Sequence, residues 1–279
     1  MNKLSIDRQS EIIKVLCEGN SLRSTARITD TAINTVVKLL REVGSACLDY
    51  QDKAMHNITS KKLQCDEIWS FVYAKAKNVP EQHSGKFGYG DVWTFTAIDA
   101  DTKLVPAWLV GQRNVDCAFE FVNDLKSRLS NRVQITTDGH GMYLEAIERS
   151  FGVDVDYAML VKLYGQEPEA ERRYSPAKCI GADKRIIQGK PDDKAISTSY
   201  VERQNLSMRM GMRRFTRLTN AFSKKLENHE YALALYFMHY NFARPHKTLA
   251  NPYPRTPAMA AGIENHIWTV DEIVRLVNK

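Results

Sequence analysis

The apolar residues at the start of the chain recur every three or four positions, which is the spacing of amphipathic helices. Ser5 and Ser21 precede two of these runs and are predicted N-caps. Gly19 and Gly44 follow apolar runs and are predicted to end the first and third helices. The segment Thr29-Asp30-Thr31 provides the turn before the third helix and its cap. The pattern therefore predicts three helices between residues 5 and 43.

A short helix, a tight turn and a longer helix are typical of the helix-turn-helix. We predict such a DNA-binding domain over residues 1–48, followed by a linker over residues 49–61. Four polar residues on the exposed side of the third helix are candidates to contact bases or phosphates: Thr31, Asn34, Thr35 and Lys38. A generic three-helix bundle remains the alternative, because residues 1–50 carry only seven bases against six acids.

From about residue 62 the apolar residues lie in short β-rich runs instead. The predicted strands are 63–73, 92–98, 104–110, 133–137 and 157–163, with helices over 114–129 and 143–151. Three antiparallel-type strands followed by alternating helices and strands indicate an α/β fold. The order fits a ribonuclease-H-like catalytic domain, a five-stranded mixed sheet with flanking helices, over residues 62–250.

The last third of the chain is less regular. Residues 165–197 are polar and contain proline, so we predict an insertion or mobile loop. Two helices are predicted after it, over 200–215 and 222–242. Residues 251–279 form a predicted C-terminal tail that ends in a short helix.

Charge adds one feature to this outline. The chain has a net charge of +6 and a pI near 9.0, which favours a polyanionic partner. No acid interrupts the stretch from Arg203 to Lys225, which carries seven bases. Six of them are predicted to contact DNA: Arg209, Arg213, Arg214, Arg217, Lys224 and Lys225.

The five cysteines form no Cys-x-x-Cys pair, so we expect no zinc site. Neither a secretory signal nor a membrane-spanning run is evident, and we expect a cytoplasmic protein without a membrane partner.

Three acids stand where a two-metal site would need them. Asp66 interrupts an otherwise apolar strand, a costly position unless a cation pairs with it. Asp138 follows the fourth strand, and Glu202 opens the helix after the irregular segment. Such oxygen ligands suit two Mg²⁺ or Mn²⁺ ions, which support phosphoryl transfer. Taken singly, the three have ordinary alternatives: a buried ion pair, a turn residue and a helix-terminal charge.

Two neighbours of these acids are treated differently. Glu67 follows Asp66 and should face the other side of the strand, so it is left out of the predicted site. Asn205 lies one helical turn after Glu202 and is a candidate to contact a metal-bound water or the DNA backbone. A packing role for Asn205 is the alternative.

Three sequence blocks around these acids resemble the catalytic blocks of the bacterial insertion-sequence-1 family of DDE transposases. They are Cys65-Asp-Glu-Ile-Trp-Ser-Phe-Val72, Thr136-Thr-Asp-Gly-His-Gly-Met-Tyr143 and Tyr200-Val-Glu-Arg-Gln-Asn-Leu206. The segments 213–225 and 240–249 extend the resemblance to about residues 62–250. It implies a ribonuclease-H-like domain, metal-dependent 3′-end cleavage and strand transfer, and terminal inverted repeats as the substrate. Asp66, Asp138 and Glu202 would be the catalytic triad.

The resemblance has one departure and leaves two alternatives. Members of the family often carry an N-terminal zinc-binding segment, which no cysteine pair supports here. Pairing of two transposon ends predicts a homodimer or larger assembly on double-stranded DNA. The alternatives are a catalytically silent DNA-binding regulator and a ribonuclease-H-like nuclease that hydrolyses without strand transfer.

Overall fold

The computed structural model describes residues 4–165, 179–216 and 221–278. It begins with helices α1 (Ile6–Cys17), α2 (Leu22–Ile28) and α3 (Ile33–Ala54). The Ser5 hydroxyl accepts from the Arg8 amide at 3.3 Å, and the Ser21 hydroxyl accepts from the Ser24 amide at 3.1 Å. Both predicted caps are therefore confirmed, because each satisfies an amide that the helix itself leaves without a partner.

The third helix differs from its prediction at both ends. Its N-cap is Ala32 rather than Thr31, whose hydroxyl donates to the Thr29 carbonyl. The helix also continues past Gly44 to Ala54, so the predicted end was wrong and the first part of the predicted linker is helical. A Cβ at Gly44 would lie 2.5 Å from Cβ of Tyr231 on a later helix. Gly44 thus allows two helices to touch instead of ending one.

The centre of the molecule is a mixed sheet of six strands in the order β3-β2-β1-β4-β5-β6. Strand β1 pairs in parallel with β4, and β4 with β5, whereas the other neighbours are antiparallel. The strands are β1 (Lys62–Val72), β2 (Gly90–Asp99), β3 (Trp108–Gly111), β4 (Val133–Asp138), β5 (Val155–Tyr164) and β6 (Cys179–Gln188). The predicted α/β class is confirmed, and the predicted third strand is shorter, since residues 104–107 lie outside it.

The sixth strand corrects two predictions, the five-stranded sheet and the loop over residues 165–197. Within that segment, Cys179–Gln188 forms β6 and Asp193–Ala195 a 3-10 turn, while residues 166–178 lie outside the described chain. Strand β6 pairs along β5 at the edge of the sheet, and nearly all of its side chains are exposed. Without a buried face it has no hydrophobic alternation to mark it in the sequence.

Helices cover both faces of the sheet. Helices α4 (Val115–Arg128) and α5 (Met142–Phe151) lie on one face, over a core that includes Phe95, Phe121 and Tyr143. On the other face, α6 (Ser199–Gly211) and α7 (Leu226–Met238) share a core with α3, with Ile68 of β1 part of it. The C-terminal segment adds α8 (Pro257–Ala260) and α9 (Val270–Arg275). Among the described helices, none is long and apolar enough to cross a membrane.

The last two long helices, α6 and α7, differ from their predicted bounds. Helix α6 stops at Gly211 instead of residue 215, and residues 213–215 form a 3-10 turn. Helix α7 begins four residues later than predicted, because Ser223 forms a bridge with Val72 of β1 and its carbonyl accepts from the Tyr73 amide at 2.8 Å. A π-helical turn, His239–Ala243, continues α7 beyond Met238, so its predicted end near residue 242 is close.

Candidate active site

The two aspartates of the predicted site lie on adjacent parallel strands. Cys65 of β1 is in register with Thr137 of β4, so the next pair along the strands is Asp66 and Asp138. Asp138 is the last residue of β4, and its Oδ1 accepts from the His140 amide at 3.0 Å. The prediction that the first and fourth strands are neighbours is confirmed, and it brings the two carboxylates together.

Glu67 belongs to this cluster, contrary to its predicted exclusion. A carboxylate oxygen from each of Asp66, Glu67 and Asp138 lies within 4.8 Å of the others. Alternation along β1 does direct Glu67 to the α5 face, where Oε2 accepts from the Tyr143 hydroxyl at 3.1 Å. Its Oε1 accepts from Nε of Arg113 at 2.6 Å. Because Asp138 lies at the end of its strand, residues from both faces of β1 reach it.

Crowding of these carboxylates changes their protonation. Burial, followed by the charge of Glu67, raises the pKa of Asp66 to about 7, although the Glu67 amide donates to Asp66 Oδ1 at 2.8 Å. Burial and the charge of Asp138 raise the pKa of Glu67 despite its partner Arg113. A cluster that resists ionisation in this way is one that a bound cation would stabilise.

Glu202 lies at the same cleft but outside the group of three. It is in the first turn of α6, where its Oε1 accepts from the Thr198 hydroxyl at 2.5 Å. Its Oε2 forms an ion pair with Nζ of Lys162 on β5, also at 2.5 Å. The third predicted acid is therefore held by a lysine next to the two aspartates, and the cleft is lined by all of them.

Asn205 contacts the cluster directly. Its Nδ2 donates to Asp66 Oδ2 at 2.8 Å, which fixes the carboxylate from the α6 side. Its own Oδ1 is buried and has no hydrogen-bond partner within the described residues. An unpaired buried oxygen is costly, so this atom would gain from a metal-bound water or another donor in the cleft.

The predicted DNA contacts of the basic stretch fall into three groups. Arg209 is half-buried and lines the carboxylate cleft. Arg213, Lys224 and Lys225 are exposed. Arg214 is half-buried, its Nε donates to the Ser223 hydroxyl at 2.8 Å, and burial lowers its pKa to about 10. Arg217 lies outside the described residues.

The predicted recognition residues lie at the start of α3. Asn34 and Lys38 are exposed, whereas Thr31 and Thr35 are half-buried. Lys38 lies 3.7 Å from Glu42, and the Thr31 hydroxyl accepts from Arg8 at 3.2 Å. Asn34, Thr35 and Lys38 lie in the first two turns of α3, and Thr31 directly precedes its N-cap Ala32. Their contact with DNA stays a prediction.

The donor set fits a hard divalent cation. Asp66 and Asp138 present carboxylate oxygens from two neighbouring strands, and Glu202 adds another from α6. Oxygen donors few in number, with room for water, are what Mg²⁺ and Mn²⁺ prefer. The Glu67 side chain is only 1% exposed and is held by Arg113 and Tyr143, whereas that of Glu202 is 40% exposed in the cleft. Glu67 therefore suits a supporting role.

No family model and no curated protein matches the chain. Among solved structures it is similar to a piggyBac transposase synaptic complex with hairpin DNA, at 10% identity and a TM-score of 0.41, over 99% of this chain and 71% of that one. A pre-cleavage Mos1 transpososome is also similar, at 10% identity and a TM-score of 0.22, over 56% of this chain and 60% of that one. Because both TM-scores are below 0.5, the candidate site stands on its own geometry.

Proposed function

We propose that the protein is a DDE transposase with a ribonuclease-H-like catalytic domain, which cleaves DNA 3′ ends and joins them to a target. The observation that carries this proposal is the meeting of Asp66, within β1, and Asp138, the last residue of the adjacent parallel strand β4. Glu202 lines the same cleft from a helix that follows much later in the chain. The three sequence blocks that resemble the insertion-sequence-1 family are thus the ones that line one cleft.

Asp66, Asp138 and Glu202 would hold the metal ions. Bound there, Mg²⁺ or Mn²⁺ would activate a water or 3′-hydroxyl and stabilise the leaving oxygen. The residues around the triad position it. Asn205 orients Asp66 through its 2.8 Å hydrogen bond, and Arg113 holds Glu67 beside the cluster.

DNA would reach this cleft over the basic residues of α6 and the segment after it. Arg209 lines the cleft, and Arg213, Lys224 and Lys225 are free to approach phosphates from the surface. Recognition of terminal inverted repeats would fall to α3, where Asn34 and Lys38 are exposed. Synapsis of two such ends requires at least a homodimer.

The test is cleavage and joining of DNA in Mg²⁺ or Mn²⁺. The substrate is a labelled duplex that carries the DNA flanking the gene, together with a plasmid target. We expect a 3′-end nick and a joined product with the wild type, and neither with Asp138→Asn. Asp101→Asn, an exposed acid in the turn after β2, is the matched control and should retain both products.

Other outcomes identify the alternatives. Nicking without a joined product would assign the protein to the hydrolytic nucleases. Specific binding of the ends by wild type and Asp138→Asn alike, with no cut from either, would make it a silent DNA-binding regulator. Cleavage that survives Asp66→Asn, Asp138→Asn and Glu202→Gln would refute the metal triad.

A further inference from the structure

A second cleft lies on the other side of α6. Glu202, Asn205 and Arg209 line the carboxylate cleft, whereas Tyr200, Arg203 and Ser207 of the same helix line the second one. The remaining wall comes from two distant segments, the end of β2 with the turn after it and the π-helical turn with the residues that follow it. We call it the basic cleft, after its four cations: Lys103, Arg203, Arg244 and Lys247.

The basic cleft has positive charge without compensation. No aspartate or glutamate is among its lining residues. Within the described chain, none of its four cations is in an ion pair. Four arginines elsewhere each pair with an acid: Arg113, Arg128, Arg132 and Arg185. The pKa of His246 in its wall is lowered to about 4 by burial and by the charges of Arg244 and Lys103. The field in the cleft thus opposes a further positive charge and favours an anion.

The three segments that carry the cations contact one another. Lys103 has a left-handed backbone (φ 63°), and its Nζ lies 3.6 Å from the ring centroid of Tyr200. The Tyr240 hydroxyl donates to the Lys103 carbonyl at 3.0 Å. The Tyr240 ring meets the ring of His246 edge-on at 4.6 Å, and His246 lies between Arg244 and Lys247 in the chain. Packing therefore fixes Lys103 and the segments from which the three exposed arginine and lysine side chains extend.

We propose that the basic cleft binds the phosphate backbone of duplex DNA, on the side of α6 opposite the carboxylates. The identity of the polyanion rests on the proposed function. Arg203, Arg244 and Lys247 are exposed along an open cleft, which suits successive phosphates of a strand better than one small anion enclosed by donors. One helix would then carry a catalytic acid on one side and backbone contacts on the other, so that binding and chemistry share a rigid element.

The experiment measures DNA binding separately from cleavage. Binding of a fluorescein-labelled 30-base-pair duplex is followed by anisotropy in EDTA, over a series of salt concentrations. The test protein is Arg203→Gln/Arg244→Gln/Lys247→Gln. At about 0.1 M salt we expect at least roughly tenfold weaker binding, and a salt dependence with a slope lower by about 2 to 3, since each lost phosphate contact removes about one unit.

A control of equal charge separates the cleft from net charge. Lys53→Gln/Lys61→Gln/Arg275→Gln also removes three exposed cations, which line neither cleft and have no ion pair within the described residues. We expect a slope change of less than about 1 for it. Equal losses in the two triple variants, or wild-type binding by the basic-cleft variant, would overturn the inference. If that variant fails to fold by circular dichroism, Arg244→Gln and Lys247→Gln are compared singly with Lys61→Gln on the same criterion.

The binding result and the proposed function fail separately. A wild type that binds through the basic cleft but never cuts DNA would support the inference and refute the enzyme. If the wild type cuts and joins DNA while the basic-cleft variant binds DNA as tightly as the wild type, the enzyme is supported and the inference is refuted.

Discussion

The two clefts beside α6 are opposites in both charge and construction. The carboxylate cleft gathers Asp66, Glu67 and Asp138 from the middle of the sheet, where neighbouring strands fix their backbones. The basic cleft gathers its cations from three segments that lie far apart in the chain, and most of them are exposed. The first arrangement concentrates like charge at a cost, whereas the second leaves charge in water at almost none.

This difference has a physical meaning for function. Carboxylates held together on neighbouring strands repel one another, and a bound cation would remove that repulsion, so they suit a metal site. Exposed cations around an open cleft bind a polyanion through counterion release and need no such precision. We therefore expect substitutions on the acidic side to alter metal binding, and those on the basic side to alter DNA affinity.

Asp66→Asn should have the largest effect on the acidic side. In the wild type, Mn²⁺ at a hundredfold excess over its Kd should stabilise the fold by about 2.7 kcal/mol, which thermal unfolding detects as a higher Tm. We expect this metal-dependent rise to vanish in Asp66→Asn, because one of two neighbouring ligands is lost. Without metal, the variant should be at least as stable as wild type, since the repulsion with Glu67 and Asp138 is relieved.

Two controls test whether the loss of Mn²⁺ stabilisation is specific to the carboxylate cleft. Asp101→Asn and the triple basic-cleft variant should both keep the Mn²⁺-dependent rise in Tm. A rise of wild-type size in Asp66→Asn would show that the ion binds elsewhere.

Asn205→Leu should have an intermediate effect. Leucine has a similar volume but cannot donate to Asp66 Oδ2, so the carboxylate loses the hydrogen bond that orients it. Loss of such a supporting contact typically weakens metal affinity about 10- to 100-fold. Calorimetric titration with Mn²⁺ measures the change. Ser207→Ala, from the same helix but lining the basic cleft, should retain wild-type metal affinity; a matching loss there would mean that α6 as a whole was disturbed.

The carboxylate cleft was accessible to sequence reasoning because its residues follow local rules. Asp66 interrupts an apolar strand and Asp138 ends another, and both patterns are visible in the sequence. Glu67 was left out of the site on the basis of strand alternation, which does not account for Asp138 at the end of β4, within reach of both faces of β1. The orientation of Asn205 could not be inferred, since it depends on how closely α6 packs on β1.

The basic cleft and parts of the fold depend on contacts between distant residues. Lys103, Arg203 and Arg244 come together only through the packing of α6 and α7 against the sheet. Tertiary contact also overrode local signals elsewhere. Gly44 was predicted as a helix end, yet Tyr231 packs against it in the middle of α3. Strand β6 is set by pairing with β5 and not by a pattern of its own.

Lys162→Gln should have the smallest effect. It tests whether Lys162 competes with a metal ion for the Glu202 carboxylate. The side chains of Lys162 and Glu202 are 32% and 40% exposed, so loss of their ion pair should change the free energy of unfolding by less than about 1 kcal/mol. A lysine that occupies the Glu202 carboxylate competes with metal for it. Its removal should therefore tighten Mn²⁺ binding by up to about fivefold, the equivalent of about 1 kcal/mol. Lys162→Arg retains the charge and should bind Mn²⁺ as the wild type does. Weaker Mn²⁺ binding in Lys162→Gln would instead show that Lys162 orients Glu202 for the metal, and the carboxylate cleft would then depend on this lysine.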